Sequence, residues 1–580
     1  MTRFKIFSLF ITLLSFTSLA QPKKEYYDSE QTKLKSETNI VKGMPHGRHT
    51  EFYKNGNISR KGSFYNGKED STWYFYYENK ILKATESYHW GKKNGHNFYY
   101  FKNGDLAQET VFSENLADSI WTSYHENKTV KSRESFRKGK KHGDWLYFFE
   151  NGQLESSGKF ENDLKDGEVK TFYKNGNPAA VENFCKNKPC GKNTEFYENG
   201  KQKFEKEYID SATFKIHNMW NENGKPVIVN GNGTLTAQYN TGIIKAQGAY
   251  KDGFMDGVWR YFHPNGELDY EATYQNGILN GYYSSYYQNH KIKSEGPFVN
   301  GKKNGLWKFF TEKGEKEMEG TLKNGLRDGK WIYYYSNGNK ESEGNFVDDK
   351  QNGTWEYFYP TKEKWKTGNF ESDVKTGIWT TWFENGKKLQ EGPYVAGKEN
   401  GQWQSWYNNG QLKDQGSFTN GQISGLWEGW YINGKPNYKG TYNDKGKKHG
   451  DWEYWYDTGK YREKGAYVSG IKHGHWITYF EKGNYVDSDG YYSKGKQHGT
   501  WTYYYETGGI MKTQSFKDGH LSGKSVSYYT NNKVQSVSNY KIISEKRKGK
   551  KQSVANGDWI FYDKTGKEIS RMTYKNGVKK

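Results

Sequence analysis

Aliphatic side chains, proline and cysteine are all scarce in this chain of 580 residues. Hydrophobic residues make up 33% and aromatic ones 18%, which leaves about 15% for Ala, Val, Ile, Leu, Met and Cys together. That is too little to fill the cores of the roughly four domains of about 150 residues that the length would otherwise imply. After the N-terminus no stretch approaches ~20 consecutive apolar residues, which excludes a bundle of membrane helices. A mean hydropathy of -1.12 and a net charge of +20 point toward disorder on their own. Disordered chains are poor in aromatics, however, and this one holds 50 Tyr, 32 Phe and 21 Trp. What folds here must be soluble, glycine-rich and packed through aromatic rings.

The N-terminus reads as a separate object. Arg3 and Lys5 precede an apolar run from Ile6 to Leu14, and Ser18-Leu19-Ala20 follows, the layout of a secretory signal peptide cleaved after Ala20. No Cys lies near that point, so a lipoprotein anchor is not supported. Cleavage removes two positive charges and leaves 85 basic against 67 acidic residues, a mature charge of +18. The expectation is an exported protein of the periplasm, cell surface or medium, with no transmembrane segment in its mature part.

Self-similarity decides the architecture. Gly305-Leu306-Trp307-Lys308-Phe309-Phe310 aligns with Gly329-Lys330-Trp331-Ile332-Tyr333-Tyr334 and with Gly353-Thr354-Trp355-Glu356-Tyr357-Phe358, a register of 24 residues. It continues through Gly377, Gly401 and Gly425, with single insertions through Gly450, Gly474, Gly499 and Gly523, and backwards with one slip to Gly47, where Ser71 and Ser119 stand in for glycine. About 22 repeats are expected between residues 47 and 557. Residues 1–20 are then the signal, 21–46 a lead-in with a partial repeat, 47–232 and 233–540 the two stretches of the array, 541–556 a basic inserted loop and 557–580 a terminal repeat.

Each repeat reads G-x-W-x-x-Y/W-Y/F-x-N-G, about five polar residues, then G-x-F/Y-x-x-G-K. Numbering positions from the first glycine as zero, this is strand, turn, strand, turn. Asn337-Gly338, Asn385-Gly386 and Asn433-Gly434 are read as two-residue type I′ turns, both of whose central residues need positive φ. Glycine at such short intervals excludes helix. Two strands per repeat advance a sheet about 10 Å, so the expected form is all-β: an elongated antiparallel sheet of hairpins on the order of 200 Å long. Strict alternation puts position 2 and position 6 on one face and position 5 on the other, for example Trp403 and Tyr407 against Trp406. Position-2 Trp residues should stack between repeats into a thin core, since no repeat can bury its face alone.

These tandem units resemble MORN repeats, in the bacterial variant often grouped with antitoxin components of toxin–antitoxin modules. The resemblance spans nearly all of the chain from Gly47 to Lys580. It implies an antiparallel sheet of stacked hairpins used for interaction and not catalysis, with family members linked to toxin neutralisation, scaffolding and membrane lipids. The export signal and the length of the array depart from a cytoplasmic antitoxin.

No catalytic or cofactor signature emerges. Gly-Lys pairs such as Gly301-Lys302 fall in hairpin turns, outside any strand-to-helix phosphate loop. His46, His142, His449, His473 and His498 precede repeat glycines and are read as turn residues; three of them sit in consecutive repeats about 10 Å apart, too far for direct metal ligation. Carboxylates are scattered. No enzyme, metal or cofactor is expected.

Three groups of residues stand out. Cys185 and Cys190, the only cysteines, flank a turn, where opposed strand positions can reach disulfide geometry; in an exported chain a clasp is favoured over two free thiols. Lys546, Arg547, Lys548, Lys550 and Lys551 form the one dense basic cluster, a candidate contact for an anionic partner such as lipid headgroups or acidic glycans; other Lys residues are solvated turns, and export argues against nucleic acid. Trp382, Trp406, Trp430 and Trp455 double the position-2 Trp of four consecutive repeats. They form either an outward ladder for a protein or sugar ligand, or the best-packed part of the core. The expected function is an extended binding or scaffolding surface for a protein partner in the cell envelope, with an antitoxin or a glycan-binding module as the alternatives.

Overall fold

The computed structural model describes residues 21–482, 485–544 and 551–580. These residues hold 53 strands and no helix, and every described strand pairing is antiparallel. No helix is long and apolar enough to cross a membrane among the described residues. The chain divides into an N-terminal body, Met1–Gly266 with Thr273–Ile278, and a C-terminal body, Glu267–Ala272 with Leu279–Lys580.

In the C-terminal body the repeat from Gly329 shows the plan. Strand Leu326–Tyr334 pairs with Lys340–Val347, and that strand with Lys350–Phe358. The two turns differ in kind. At Asn337-Gly338 the Gly338 amide donates to Tyr335 O at 2.9 Å and the Tyr335 amide to Asn339 O at 2.8 Å. Only Gly338 of the pair has positive φ, 81°. This is a three-residue loop in which glycine takes the left-handed position after an ordinary turn, not the two-residue I′ turn expected there; Gly386 and Gly434 repeat it, at 79° and 83°. The I′ geometry sits at the other end of the repeat. Asn300 and Gly301, Asn324 and Gly325, and Asp348 and Asp349 all have both central φ positive.

The side of the sheet that carries the core is also set differently from strict alternation over seven residues. Trp331 is 2% exposed, and its ring meets Tyr333 at position 4, 6.3 Å between centroids. Position 6 lies beyond the strand, in the turn, where Tyr335 donates its hydroxyl to the Phe358 carbonyl of the next repeat at 2.8 Å. The same bond joins Tyr287 to Phe310 O, Tyr359 to Trp382 O and Tyr407 to Trp430 O. Position 6 therefore tethers neighbouring repeats and does not share the core with position 2. The Asn of each Asn-Gly pair adds a second tether, as Asn337 Nδ2 donates to Pro360 O at 3.0 Å.

The core is one ring deep. Trp307, Trp331, Trp355 and Trp379 are buried with Phe346 and Phe370 interleaved edge-on, Phe346 lying 5.1 Å from Trp355 at 87°. The indole N–H of each of these four is satisfied, Trp331 Nε1 donating to Thr321 O and Trp355 Nε1 to Asn345 O. Opposite each Trp lies the position-15 glycine of the preceding repeat, and at Gly368 an added Cβ would stand 2.0 Å from Trp379.

The N-terminal body keeps the hairpins but changes the filling. At position 2, His49, Asn97 and Asn193 are buried where Trp stands elsewhere. Asn97 Oδ1 accepts the Ser87 amide at 2.7 Å and Asn193 Oδ1 the Asn183 amide at 2.9 Å, so each amide restores a bond that a bare hole would leave unmade. The slip in register appears as the short strand Pro226–Val229, where Gly231 packs on the Gly253 backbone.

Candidate binding surface

Two faces follow from this plan. The core face carries positions 2, 4, 15 and 17; the opposite face carries positions 3, 5 and 14 because side chains alternate along each strand, and position 11 joins them because the bulge beside it, at Glu341 in the repeat from Gly329, resets the alternation. Trp382, Trp406, Trp430 and Trp455 all fall on this opposite face, on successive repeats and each half-buried. They are distinct from Trp379, Trp403, Trp427 and Trp452, which are buried in the core.

The row is dressed with charge. Lys364 Nζ stands 5.8 Å from the Trp382 ring centre and Lys388 Nζ 5.5 Å from that of Trp406. Lys364 also pairs with Glu356 at 2.7 Å and Lys388 with Glu391 at 2.7 Å. Trp430 lies opposite Pro436, and Trp455 stacks on Tyr461 at 5.2 Å. Earlier in the row Tyr334 donates its hydroxyl to Glu319, which Lys316 also bonds at 3.0 Å. Partial burial opposes ionisation of Glu319, but these two donors together hold its carboxyl below the usual range. Glu428 is held down by hydrogen bonds from Lys439 and Gln415. Cation and anion thus alternate along the aromatic row.

On the core face lysines lie over the buried rings, Lys375 4.4 Å from Trp379 and Lys472 3.6 Å from Trp476. Burial pushes the Lys303 ammonium down from its ordinary value as it caps Trp307 at 4.1 Å. Much of the positive charge that looked like free turn lysine is therefore seated on aromatic rings.

Cys185 and Cys190 are joined by a disulfide with Cα atoms 5.9 Å apart, closing the turn at Lys186-Asn187. Lys546, Arg547, Lys548 and Lys550 lie outside the described residues, as does the signal segment of residues 1–20; Lys551 is described, at the start of the strand Lys551–Ala555. That strand pairs with Val534–Ser544, so strands enter the stretch 541–556 from both sides. The histidines before the repeat glycines are not in turns: His46, His142, His449, His473 and His498 are all within strands, next to the glycine of a bulge. Among the described residues no group of three or more His, Cys, Asp or Glu could hold a metal ion.

One cluster escaped the reading of the sequence. In the N-terminal body Glu86 is 8% exposed and accepts from Lys93 Nζ at 2.7 Å, Tyr88 Oη at 2.6 Å and Tyr99 Oη at 2.9 Å. Burial raises its carboxyl, but the three donors outweigh it and leave the group below its ordinary value, while the Tyr88 hydroxyl is raised by burial and by Glu86. The signal was Glu at position 15, where Gly296, Gly320 and Gly344 stand in later repeats.

The fold and its faces define a class: a hairpin-repeat protein whose sheet carries a buried aromatic file on one side and a charged aromatic row on the other. Ten of the repeats match the MORN repeat variant family, at residues 45–66, 141–162, 165–186, 255–276, 327–348, 375–396, 399–420, 448–468, 497–518 and 521–541. No curated protein matches the chain. Among solved structures, a TcdB2–TccC3–Cdc42 crystal structure matches at 10% identity over 95% of this chain and 35% of that chain, with a TM-score of 0.12. The Photorhabdus luminescens Tc holotoxin pore matches at 10% identity over 96% of this chain and 35% of that chain, with a TM-score of 0.13. The chain spans about a third of the length of these chains, and at such TM-scores the likeness bears on neither fold nor partner.

Proposed function

We propose that the protein is a non-enzymatic scaffold, exported by its N-terminal signal, whose charged aromatic face in the C-terminal body binds a protein of the cell envelope. The observation that carries this reading is the row Trp382, Trp406, Trp430 and Trp455: four half-buried indoles on the face away from the core, interleaved with paired Lys and Glu. Aromatic rings with balanced charge suit a protein interface, where Trp is enriched and its rings become energetic centres once water is excluded. Nothing in the core requires those four indoles, since position 5 in the neighbouring repeats holds Tyr or Phe, as at Tyr334, Phe358, Tyr479 and Tyr504.

The test is capture from envelope and culture fluid with the mature chain, beside a variant with all four replaced by Ala. A defined protein retained by the wild type and lost by a variant of unchanged circular dichroism supports the reading. A variant that unfolds, or one that retains the same proteins, overturns it. The same row supports a second reading, a glycan-binding module, which predicts retention on polysaccharide resin that depends on the four indoles. An exported antitoxin would instead be exposed by a toxin whose activity the mature chain suppresses on mixing.

A further inference from the structure

The hairpin Val534–Ser544 with Lys551–Ala555 differs from its neighbours. The strands beside it, Ile510–Lys517 and His520–Tyr528, run 8 and 9 residues, whereas Val534–Ser544 runs 11. Tyr540 is the residue paired with Gly523, the register at which other repeats turn back; this strand continues past it, and Ser544 pairs with Lys551. The extension overhangs the row of I′ turns at Lys494-Gly495 and Asp518-Gly519. Between the overhang and those turns lies an open cleft of about 560 Å³ lined by Ser493, Lys494, Lys496, Asp518, His520 and Lys551.

We infer that this cleft is a binding site for a doubly charged oxyanion, phosphate or sulfate, free or as the end group of an ester. Three exposed lysines and a half-buried histidine line it from three hairpins, against a single carboxylate. Asp518 Oδ2 lies 3.8 Å from Lys551 Nζ, an exposed pair that neutralises at most one of the three cations. Elsewhere in this body the lysines on rings or beside glutamates are already partnered, as Lys448 over Trp452 and Lys439 with Glu428 show. The concave wall matters, because convergent donors in a partly enclosed site hold an oxyanion where a flat run of lysines only concentrates counter-ions. Ser493 and His520 supply directed donors beside the cations.

The experiment is calorimetric titration of the mature chain with inorganic phosphate and with phenyl phosphate, at matched ionic strength against chloride. Lys494→Gln/Lys496→Gln/Lys551→Gln should weaken binding by at least about tenfold. Lys323→Gln/Lys350→Gln/Lys398→Gln, which removes the same charge from equivalent exposed turn flanks in this body, should leave it within about twofold. Asp518→Asn should tighten it. Binding of both probes indicates a free or esterified ligand, and binding of phenyl phosphate alone an ester end group; either supports the site. Equal losses in the two triple variants, no binding of either probe, or a weaker Asp518→Asn variant overturns it.

Discussion

The indole of Trp355 lies flat on the backbone of Gly344, so close that a Cβ built on that glycine would stand 2.2 Å from Cδ2 of the ring. The glycine belongs to one repeat and the tryptophan to the next, and Phe346 closes the pocket edge-on. Gly320 with Trp331 and Gly392 with Trp403 repeat the fit.

Gly344→Ala should therefore destabilise its neighbourhood by about 2 kcal/mol or more, since the ring cannot move without giving up its bond to Asn345 O. Trp355→Ala alone should cost about 3–5 kcal/mol. In the double variant the alanine at 344 should cost almost nothing, a coupling of about 2 kcal/mol in a double-mutant cycle followed by denaturant unfolding. Additive costs would refute the fit.

Ser71 and Ser119 occupy the repeat-glycine position with φ of 63° and 57°. A side chain there is strained, so Ser71→Gly and Ser119→Gly should each stabilise the N-terminal body by about 0.5–1 kcal/mol despite the looser unfolded chain. The reverse change, Gly329→Ala at φ 88°, should destabilise. Melting temperatures of the three variants check the sign.

Tyr335→Phe removes only the hydroxyl that reaches Phe358 O. The expected loss is about 1 kcal/mol. It should be read as faster amide exchange in the strands on either side, Leu326–Tyr334 and Lys350–Phe358, with distant repeats unchanged.

Glu86 gives the N-terminal body an acid limit. Its folded carboxyl lies below the ordinary value, so the stabilisation is fully present above the unfolded pKa of about 4.5 and is lost as pH falls through the lower folded value. Glu86→Gln should flatten stability across that window, measured as the denaturant midpoint from pH 6 down to pH 3. Unchanged pH dependence would remove Glu86 as its source.

Reduction of the Cys185–Cys190 disulfide should cost the N-terminal body no more than about 2 kcal/mol, because the ring it closes is short. Circular dichroism of the mature chain with and without a reductant should agree at ambient temperature and diverge only on heating.

Much of the fold was legible because a 24-residue period repeats the same local instructions, so one correct hairpin implies its neighbours. The period does not say which turn is which. Asn-Gly serves both geometries, and the choice rests on a tether, Asn337 Nδ2 to Pro360 O, that binds the Asn to another repeat and holds it out of the left-handed region. Alternation failed at position 6 for a related reason: the strand ends at Tyr334, and Tyr335 is captured by a distant carbonyl. Alternation did set the four position-5 indoles opposite position 2, but it left open whether they form an outward row or pack into a core, and only the structure shows them half-buried beside the buried position-2 file. Glu86 was hidden because a carboxylate among aromatics looks misplaced until its three donors are seen.

The tethers have a direction. Where position 6 is Tyr and position 2 is Trp, the hydroxyl of one repeat reaches forward and the indole of the following repeat reaches back, so adjacent repeats are cut to one another like courses of brick. A chain built this way can gain or lose whole 24-residue courses, such as residues 353–376, and still present Gly to Trp and Tyr to carbonyl at the new joint. A gain or loss of twelve would set one kind of turn against the other and meet no matching partner. Array length is thus free to drift in steps of one repeat, and with it the reach of the aromatic row, without redesign of any single residue.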